Sequence, residues 1–303
     1  MSLIFILDSL TVGNAYIRGI LPVMGMKKNN IDAKYIVASD FNPRSVEIND
    51  VVVFVKYDRL GQAKEVKNKG AKVVLDIVDS KTIHKSEDLR QSIDALIVNT
   101  ASSRRIIKSN FNFNKPIFKI PHIITNFNKD LKTQVRKSLP KIPKTLGYLG
   151  VRETFTDIDY FNSFCTKNDL NWYNAQPSIT DNESHTLNID LGCINFTGDK
   201  ERIGGTLTIT KPSAKLLNLF SYGIPTLFSP YESYIDAITS YGFNDLLWCC
   251  CSTKEAMFDK IDILMKDHDL YRELSDQAFD LSRNYHISNT SNIYKELIDY
   301  IGS

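Results

Sequence analysis

Residues 211–228 decide the fold, and they read KPSAKLLNLFSYGIPTLF. Pro212 suits the first turn of a helix, where its missing N–H costs nothing, and the Ser213 hydroxyl can satisfy a free backbone donor there. The leucines and phenylalanine that follow keep helical spacing, Gly223 ends the helix, and an apolar strand resumes at Pro225. The stretch therefore predicts a tight turn, an amphipathic helix and a buried strand in succession.

Two lysines suggest that this turn also binds a ligand. Lys211 and Lys215 place positive charge where the unpaired N–H groups and the dipole of a helix already favour an anion. The spacing therefore predicts a phosphate site, although an ordinary connection with solvated lysines fits the spacing equally well.

The rest of the chain alternates short apolar runs with polar helical segments, which is typical of parallel sheets wound with helices. We expect strands at 2–7, 35–38, 51–55, 72–77, 95–99, 116–120, 145–150, 171–174, 189–196, 225–228 and 246–251. We expect a turn at 11–14 followed by a helix to about 28, and further helices at 60–69, 102–109, 157–168, 231–241, 253–266, 270–284 and 289–300.

A polar, basic stretch with two prolines interrupts this alternation and is typical of a connector between domains. We therefore predict a Rossmann-like N-terminal domain over 1–126, a basic linker over 127–145 and a Rossmann-like C-terminal domain over 146–288. A last helix over 289–303 is expected to pack back on the N-terminal domain.

The composition is typical of a soluble globular protein. Of the 303 residues, 43% are hydrophobic and 24% are charged, and no apolar run approaches the roughly 20 residues needed to span a bilayer. The chain opens on an apolar strand instead of a basic leader, which favours the cytoplasm. The five cysteines do not have the spacing of a paired metal-ligand motif, so no metal is expected.

Positive charge is concentrated in one region although the net charge is only +2. Residues 101–146 contain one acid, Asp130, among basic residues that are Arg104, Arg105, Lys108, Lys115, Lys119, Lys129, Lys132, Arg136, Lys137, Lys141 and Lys144. This field could attract an anionic membrane surface, a lipid-phosphate acceptor or an anionic glycan; a solvated linker and helix face is the plainer interpretation. No RNA-binding or zinc-finger motif accompanies the charge, so nucleic acid is not expected as a partner.

The motif of residues 211–226, with the Tyr-Glu-Ser-Tyr run at 231–234, resembles the donor-binding segment of GT-B glycosyltransferases. It is most similar to retaining enzymes of the glycosyltransferase family 4 type. The resemblance implies two Rossmann-like domains facing a cleft. It also implies transfer of a sugar from a nucleotide-sugar donor to a glycan or lipid-linked acceptor, in surface polysaccharide synthesis. The nucleotide-sugar would be a substrate, so no cofactor is expected.

The same resemblance assigns the donor site to the C-terminal domain. Lys211, Pro212, Ser213 and Lys215 would bind phosphate. Asn218 stands where the family usually has a ribose-binding Glu, which leaves Glu232, beside Ser233, to grip ribose. Arg152 follows Gly150 as in many retaining members, and Arg202 is a further cation. Such preorganised cations would stabilise the departing nucleoside diphosphate.

Acceptor residues are expected in the N-terminal domain, beyond the carboxyl ends of its strands. Gly13 and Asn14 resemble the family's glycine loop, and His122 follows a predicted strand. Asp79, just beyond the strand that ends near Asp76, could orient or deprotonate an acceptor hydroxyl. Asp79, Arg152 and Lys215 are thus the candidate catalytic residues. A plain helix start, a capping acid and a satisfied histidine are the structural alternatives.

Two other functions fit the same pattern. A nucleotide-sugar epimerase can share the fold and the phosphate site. A catalytically silent subunit that binds nucleotide or glycan would tolerate the altered position at Asn218.

Overall fold

A computed structural model of the chain describes residues 1–10, 13–56, 59–78, 87–111, 113–126, 134–150, 158–176, 182–194 and 212–302. These residues fall into two compact units. The first contains residues 1–123, 212 and 286–302, and the second contains residues 124–194 and 213–285.

The first unit is built on a parallel sheet of six strands in the order β2-β1-β3-β4-β5-β6. The strands are β1 (Leu3–Leu7), β2 (Ala33–Val37), β3 (Val51–Val55), β4 (Lys72–Ile77), β5 (Ala95–Val98) and β6 (Ile117–Lys119). The helices are α1 (Gly13–Ala15), a π-helical turn (Tyr16–Ile20), α2 (Leu21–Lys28), a 3₁₀ turn (Pro43–Ser45), α3 (Leu60–Asn68), α4 (Glu87–Ser92), α5 (Ala101–Phe111) and α12 (Ile287–Gly302).

The sequences of the central strands explain why this sheet is parallel and buried on both faces. β1 reads LIFIL and β3 reads VVVFV, and every residue of both is buried. Continuous apolar runs of this kind suit parallel strands that are covered on both faces. Their side chains divide between two apolar clusters, which hold Ile4 and Ile6 on one side and Leu3, Phe5 and Leu7 on the other.

Helix α12 supplies part of one of these clusters. Tyr294 packs edge-on against Phe5, with the ring centroids 5.4 Å apart. Gly25 of α2 lies so close to Ile287 and Ser291 that a Cβ atom there would overlap both side chains. The C-terminal helix is therefore an integral part of the first unit.

A buried ion pair crosses the same unit. Arg18, in the π-helical turn, donates to both carboxylate oxygens of Asp76 in β4, at 2.8 and 2.9 Å. The guanidinium also donates to the carbonyls of Ile120 and Pro121, at 2.7 and 3.0 Å. Burial disfavours the Arg18 cation, but the adjacent Asp76 carboxylate and the nearby Tyr294 together outweigh this effect and raise the pKa of Arg18. One side chain thus joins three segments that are distant in sequence.

The second unit is built on a parallel sheet in the order β10-β9-β7-β8. The strands are β7 (Thr145–Leu149), β8 (Asn171–Ala175), β9 (Leu191–Ile194) and β10 (Thr226–Phe228). The helices are α6 (Ile158–Lys167), α7 (Asn182–Thr186), α8 (Ala214–Ser221), α9 (Glu232–Thr239), a 3₁₀ helix (Asn244–Cys249), α10 (Lys254–Lys266) and α11 (His268–Arg283). In both sheets the first strand in sequence pairs with the second and the third, and the fourth adds beside the third.

One predicted strand is wrong. Residues 246–251 were expected to be extended, but Asn244–Cys249 is a 3₁₀ helix and only Cys250 forms a bridge, with Phe228. The buried residues Leu246 and Cys249 are three apart, which matches the three-residue turn of this helix. Lys260 donates to the Trp248 and Cys250 carbonyls, so a side chain satisfies groups that a strand would have paired in a sheet.

Part of the basic region has a structural role. Lys115 donates to the carbonyls of Arg90, Gln91 and Ile93 at the end of α4. In the second unit, Lys137 pairs with Asp190 at 2.8 Å.

Arg136 similarly pairs with Asp276. In contrast, Arg104, Arg105 and Lys108 of α5 are exposed. Within the described ranges, no helix has the length and apolar character that a membrane crossing requires.

Candidate functional site

Helix α8 places the predicted phosphate site at the carboxyl edge of the second sheet. Its buried face, formed by Leu216, Leu217, Leu219 and Phe220, fixes it against the sheet and α11. Because α8 runs back before β10, its first residues lie at the edge where the parallel strands end. Ser213 stands at the N-cap, is 3% exposed and makes no side-chain capping bond.

Lys215 reaches from the first turn of α8 to the end of β7. Its Nζ atom lies 2.5 Å from the hydroxyl of Tyr148 and 4.5 Å from the centroid of that ring. A Cβ atom at Gly150 would overlap the Nζ atom, so the ammonium occupies space that only glycine leaves open. Burial lowers the pKa of Lys215 to about 8.

This position is chemically suited to an anion. The described residues include no carboxylate paired with Lys215. The charge of Lys215 therefore adds to the partial positive charge of the α8 N-terminus. A phosphate group that approached the end of β7 would meet both.

The other predicted donor residues lie at the start of α8 and α9. Pro212 is partly buried beside Ser213. Glu232 is the first residue of α9, follows β10 and is exposed. Ser233 is fully buried, and its hydroxyl has no hydrogen-bond partner within the part of the chain that the structure describes.

The predicted acceptor residues belong to the carboxyl edge of the first sheet. Gly13 is exposed with nothing within 4 Å of a Cβ built on it, and the partly buried Asn14 follows it in α1. His122 is only 1% exposed, and its Nε2 atom lies 3.3 Å from Nδ2 of Asn99. Burial, and secondarily the Arg18 charge, holds the pKa of His122 well below its usual value, so the ring is neutral.

Four predicted residues, Asp79, Arg152, Arg202 and Lys211, lie outside the described residues. Sequence reasoning missed Tyr148, which it treated only as part of a strand. The available signal was a tyrosine two residues before the glycine that ends this strand.

Asn218 has a structural partner. Its Oδ1 accepts hydrogen bonds from the backbone N–H and the hydroxyl of Thr125. The neighbouring Asn126 donates to the carbonyls of Ser221 and Val135. The chain after residue 124 is thus held on the side of α8.

No protein-family model matches the chain, and a search of curated proteins finds no match. Solved structures do match. Sucrose-phosphate synthase from Thermosynechococcus elongatus has a TM-score of 0.68 at 8% identity, with 99% of this chain and 100% of that chain covered.

T4 phage BGT in complex with its UDP-glucose substrate has a TM-score of 0.61 at 10% identity, with 99% and 100% covered. The GtfA/B complex has a TM-score of 0.56 at 15% identity; 86% of this chain is covered, and this chain spans 58% of that one. At these identities the likeness concerns the fold, and the chain has the α/β fold of the GT-B glycosyltransferases.

Proposed function

We propose that the protein is a glycosyltransferase that takes a nucleotide-sugar donor at the carboxyl edge of its second sheet. The observation that carries this proposal is the Lys215 ammonium, held at Gly150 beside the N-terminus of α8. The GT-B fold adds support, because one neighbour of this fold is in complex with UDP-glucose.

In this proposal the donor diphosphate lies between Lys215 and the first N–H groups of α8. Negative charge grows on the leaving diphosphate in the transition state, and a preorganised ammonium stabilises it. Lys211, Arg202 and Arg152 would add cations to the same group, and no metal would be required. Glu232, exposed at the start of α9, would bind the ribose hydroxyls in place of Asn218, whose oxygen is occupied by Thr125.

The acceptor is proposed to be a glycan or a lipid-linked sugar that meets residues of the first unit. Asp79 would orient or deprotonate its hydroxyl. Transfer is proposed to retain the anomeric configuration, and the product to belong to a surface polysaccharide. The exposed cations of α5 would hold the protein at an anionic membrane.

The first experiment is thermal stabilisation by UDP, GDP, CMP, ADP and dTDP and their sugar conjugates. It uses the wild type, Lys215→Met and, as a matched control, Lys266→Met, which removes an exposed lysine at the end of α10. A nucleotide at about 100 times its Kd adds roughly 2.7 kcal/mol of stability. We expect stabilisation by one base in the wild type and the control, and its loss in Lys215→Met. No stabilisation by any nucleotide would contradict the proposal.

Turnover separates the remaining alternatives. Acceptor-dependent release of nucleotide indicates a transferase, and NMR of the product anomer tests retention. Interconversion of the sugar without an acceptor indicates an epimerase. Binding without turnover, even with crude acceptor extracts, indicates a silent subunit.

A further inference from the structure

The side chain that holds Lys215 belongs to the strand beneath it. Tyr148 lies in β7, is 0% exposed, and accepts a 2.5 Å hydrogen bond from the Lys215 ammonium. A tyrosine ring fixed in the core has little freedom, so its oxygen defines where a flexible lysine can end.

The backbone of Gly150 packs against both the Lys215 ammonium and the Tyr148 hydroxyl. A Cβ atom there would overlap both Lys215 Nζ and Tyr148 Oη. The hydroxyl and the ammonium therefore meet directly over the backbone at the end of β7. The lysine is confined before any ligand arrives.

The surroundings of the pair are aromatic. Burial raises the pKa of Tyr234, and the nearby Tyr231 and Tyr148 contribute to the same shift. Tyr231 and Tyr234 pack edge-on, with ring centroids 5.5 Å apart. The aromatic side chains beside the pair are thus phenols, which are neutral at pH 7. Among the residues that the structure describes, Lys215 forms no ion pair, and its ammonium donates only to the Tyr148 oxygen.

We propose that Tyr148 is a positioning residue of the donor site: its hydroxyl holds the Lys215 ammonium over Gly150, ready for the diphosphate. This inference rests on the proposed function and adds the group that prepares its cation. Preorganisation of this kind saves the cost of ordering a long side chain when the ligand binds.

The hydroxyl also preserves the charge of the lysine. Burial lowers the pKa of Lys215 to about 8, and a hydrogen bond to its charged form opposes this shift. Without the hydroxyl, the lysine loses its proton at lower pH. A diphosphate binds the ammonium and not the amine, so the pH dependence of nucleotide affinity reports on Tyr148.

The test uses Tyr148→Phe, which keeps the ring and removes the acceptor. Tyr271→Phe is the matched control, because Tyr271 is also buried in the second unit and its hydroxyl donates to the Asp190 carbonyl at 2.8 Å. Calorimetric titration with the nucleoside diphosphate selected by thermal stabilisation gives the Kd. The range from about pH 6.5 to about pH 9.5 lies above the last phosphate ionisation, near pH 6.

For the wild type and Tyr271→Phe, we expect constant affinity near neutral pH and a decline above about pH 8. For Tyr148→Phe, we expect the decline to begin at lower pH and the affinity at pH 8 to be weaker by about tenfold, with the gap narrowing toward pH 6.5. Unchanged affinity and pH profile in Tyr148→Phe, while Lys215→Met loses binding, would overturn this inference and leave the proposed function intact. A loss that is the same at every pH would overturn it too. If the wild type binds no nucleoside diphosphate at any pH, the proposed function fails first.

Discussion

Asn218 Oδ1 accepts two hydrogen bonds from Thr125, at 2.9 Å from the backbone N–H and 3.1 Å from the hydroxyl. Asn218 lies one helical turn beyond Lys215 on α8. The Asn218 side chain therefore holds the start of the second unit on this helix.

Replacing Asn218 distinguishes a structural role, in which it holds Thr125, from a direct contact with the donor. Asn218→Ala leaves both Thr125 donors without this acceptor, and we expect a loss of about 1–2 kcal/mol in the free energy of unfolding. Asn218→Asp keeps an acceptor and serves as the control. Urea denaturation measures the loss, and nucleotide titration should show an unchanged Kd in both variants. A weaker Kd in both, with stability intact, would mean that Asn218 touches the donor.

The buried ion pair of the first unit allows a double-mutant cycle. Arg18→Met leaves the Asp76 carboxylate buried without its partner, and we expect a cost of about 3–5 kcal/mol in chemical denaturation. Arg18→Met combined with Asp76→Leu removes both charges and should recover much of this loss. A double variant that is as unstable as the sum of the two single variants would show that the charges do not stabilise each other.

Gly150→Ala tests the space around Lys215. The new Cβ would displace the ammonium, so we expect nucleotide affinity to fall about tenfold or more while the unit stays folded. Gly61→Ala is the control, because nothing lies within 4 Å of a Cβ there. Titration and thermal unfolding measure both variants. Wild-type affinity in Gly150→Ala would mean that Lys215 is free to move aside without loss.

His122 gives the first unit a pH dependence with a defined sign. The folded pKa is depressed, so below the unfolded value of about 6.5 the unfolded state binds a proton that the folded state does not. The contribution of His122 to the free energy of unfolding is therefore complete above about pH 6.5. It falls as the pH drops, by up to about 1.4 kcal/mol per pH unit. Urea denaturation at several pH values should show a shallower acid decline in His122→Gln than in the wild type. An identical decline would mean that His122 titrates normally in the folded state.

The exposed cations of α5 are one part of the basic region that a membrane could contact. Neutralising Arg104, Arg105 and Lys108 to Gln should weaken binding to vesicles that contain phosphatidylserine by about 1 kcal/mol for each residue. Sedimentation with vesicles at low and high salt measures this. Lys266→Gln in the second unit is the control. Equal binding by all three proteins, or none by the wild type, would contradict membrane contact through α5.

Regular elements with strong apolar patterns were predictable from the sequence. Val51–Val55 and Lys72–Ile77 match their predicted bounds. Val51–Val55 is an unbroken apolar run between Asp50 and Lys56, and Lys72–Ile77 has an apolar centre, Val73–Leu75, between Lys72 and Asp76. Side-chain bonds between distant segments were not predictable. Lys260 donates to the Trp248 and Cys250 carbonyls, and Arg18 meets Asp76 across 58 positions. Neither pairing leaves a periodic signal, so only the folded chain brings them together.

The position of α12 has a consequence for biosynthesis. The first unit needs Tyr294 and Leu297 to complete an apolar cluster that begins with Leu3. The second unit ends at Tyr285, so all its residues precede α12 in the sequence. On the ribosome, the N-terminal sheet therefore emerges first and is finished last, and its apolar face around Phe5 stays uncovered while the intervening unit is translated. This is the interval in which the nascent chain is most exposed to aggregation and has most need of a chaperone.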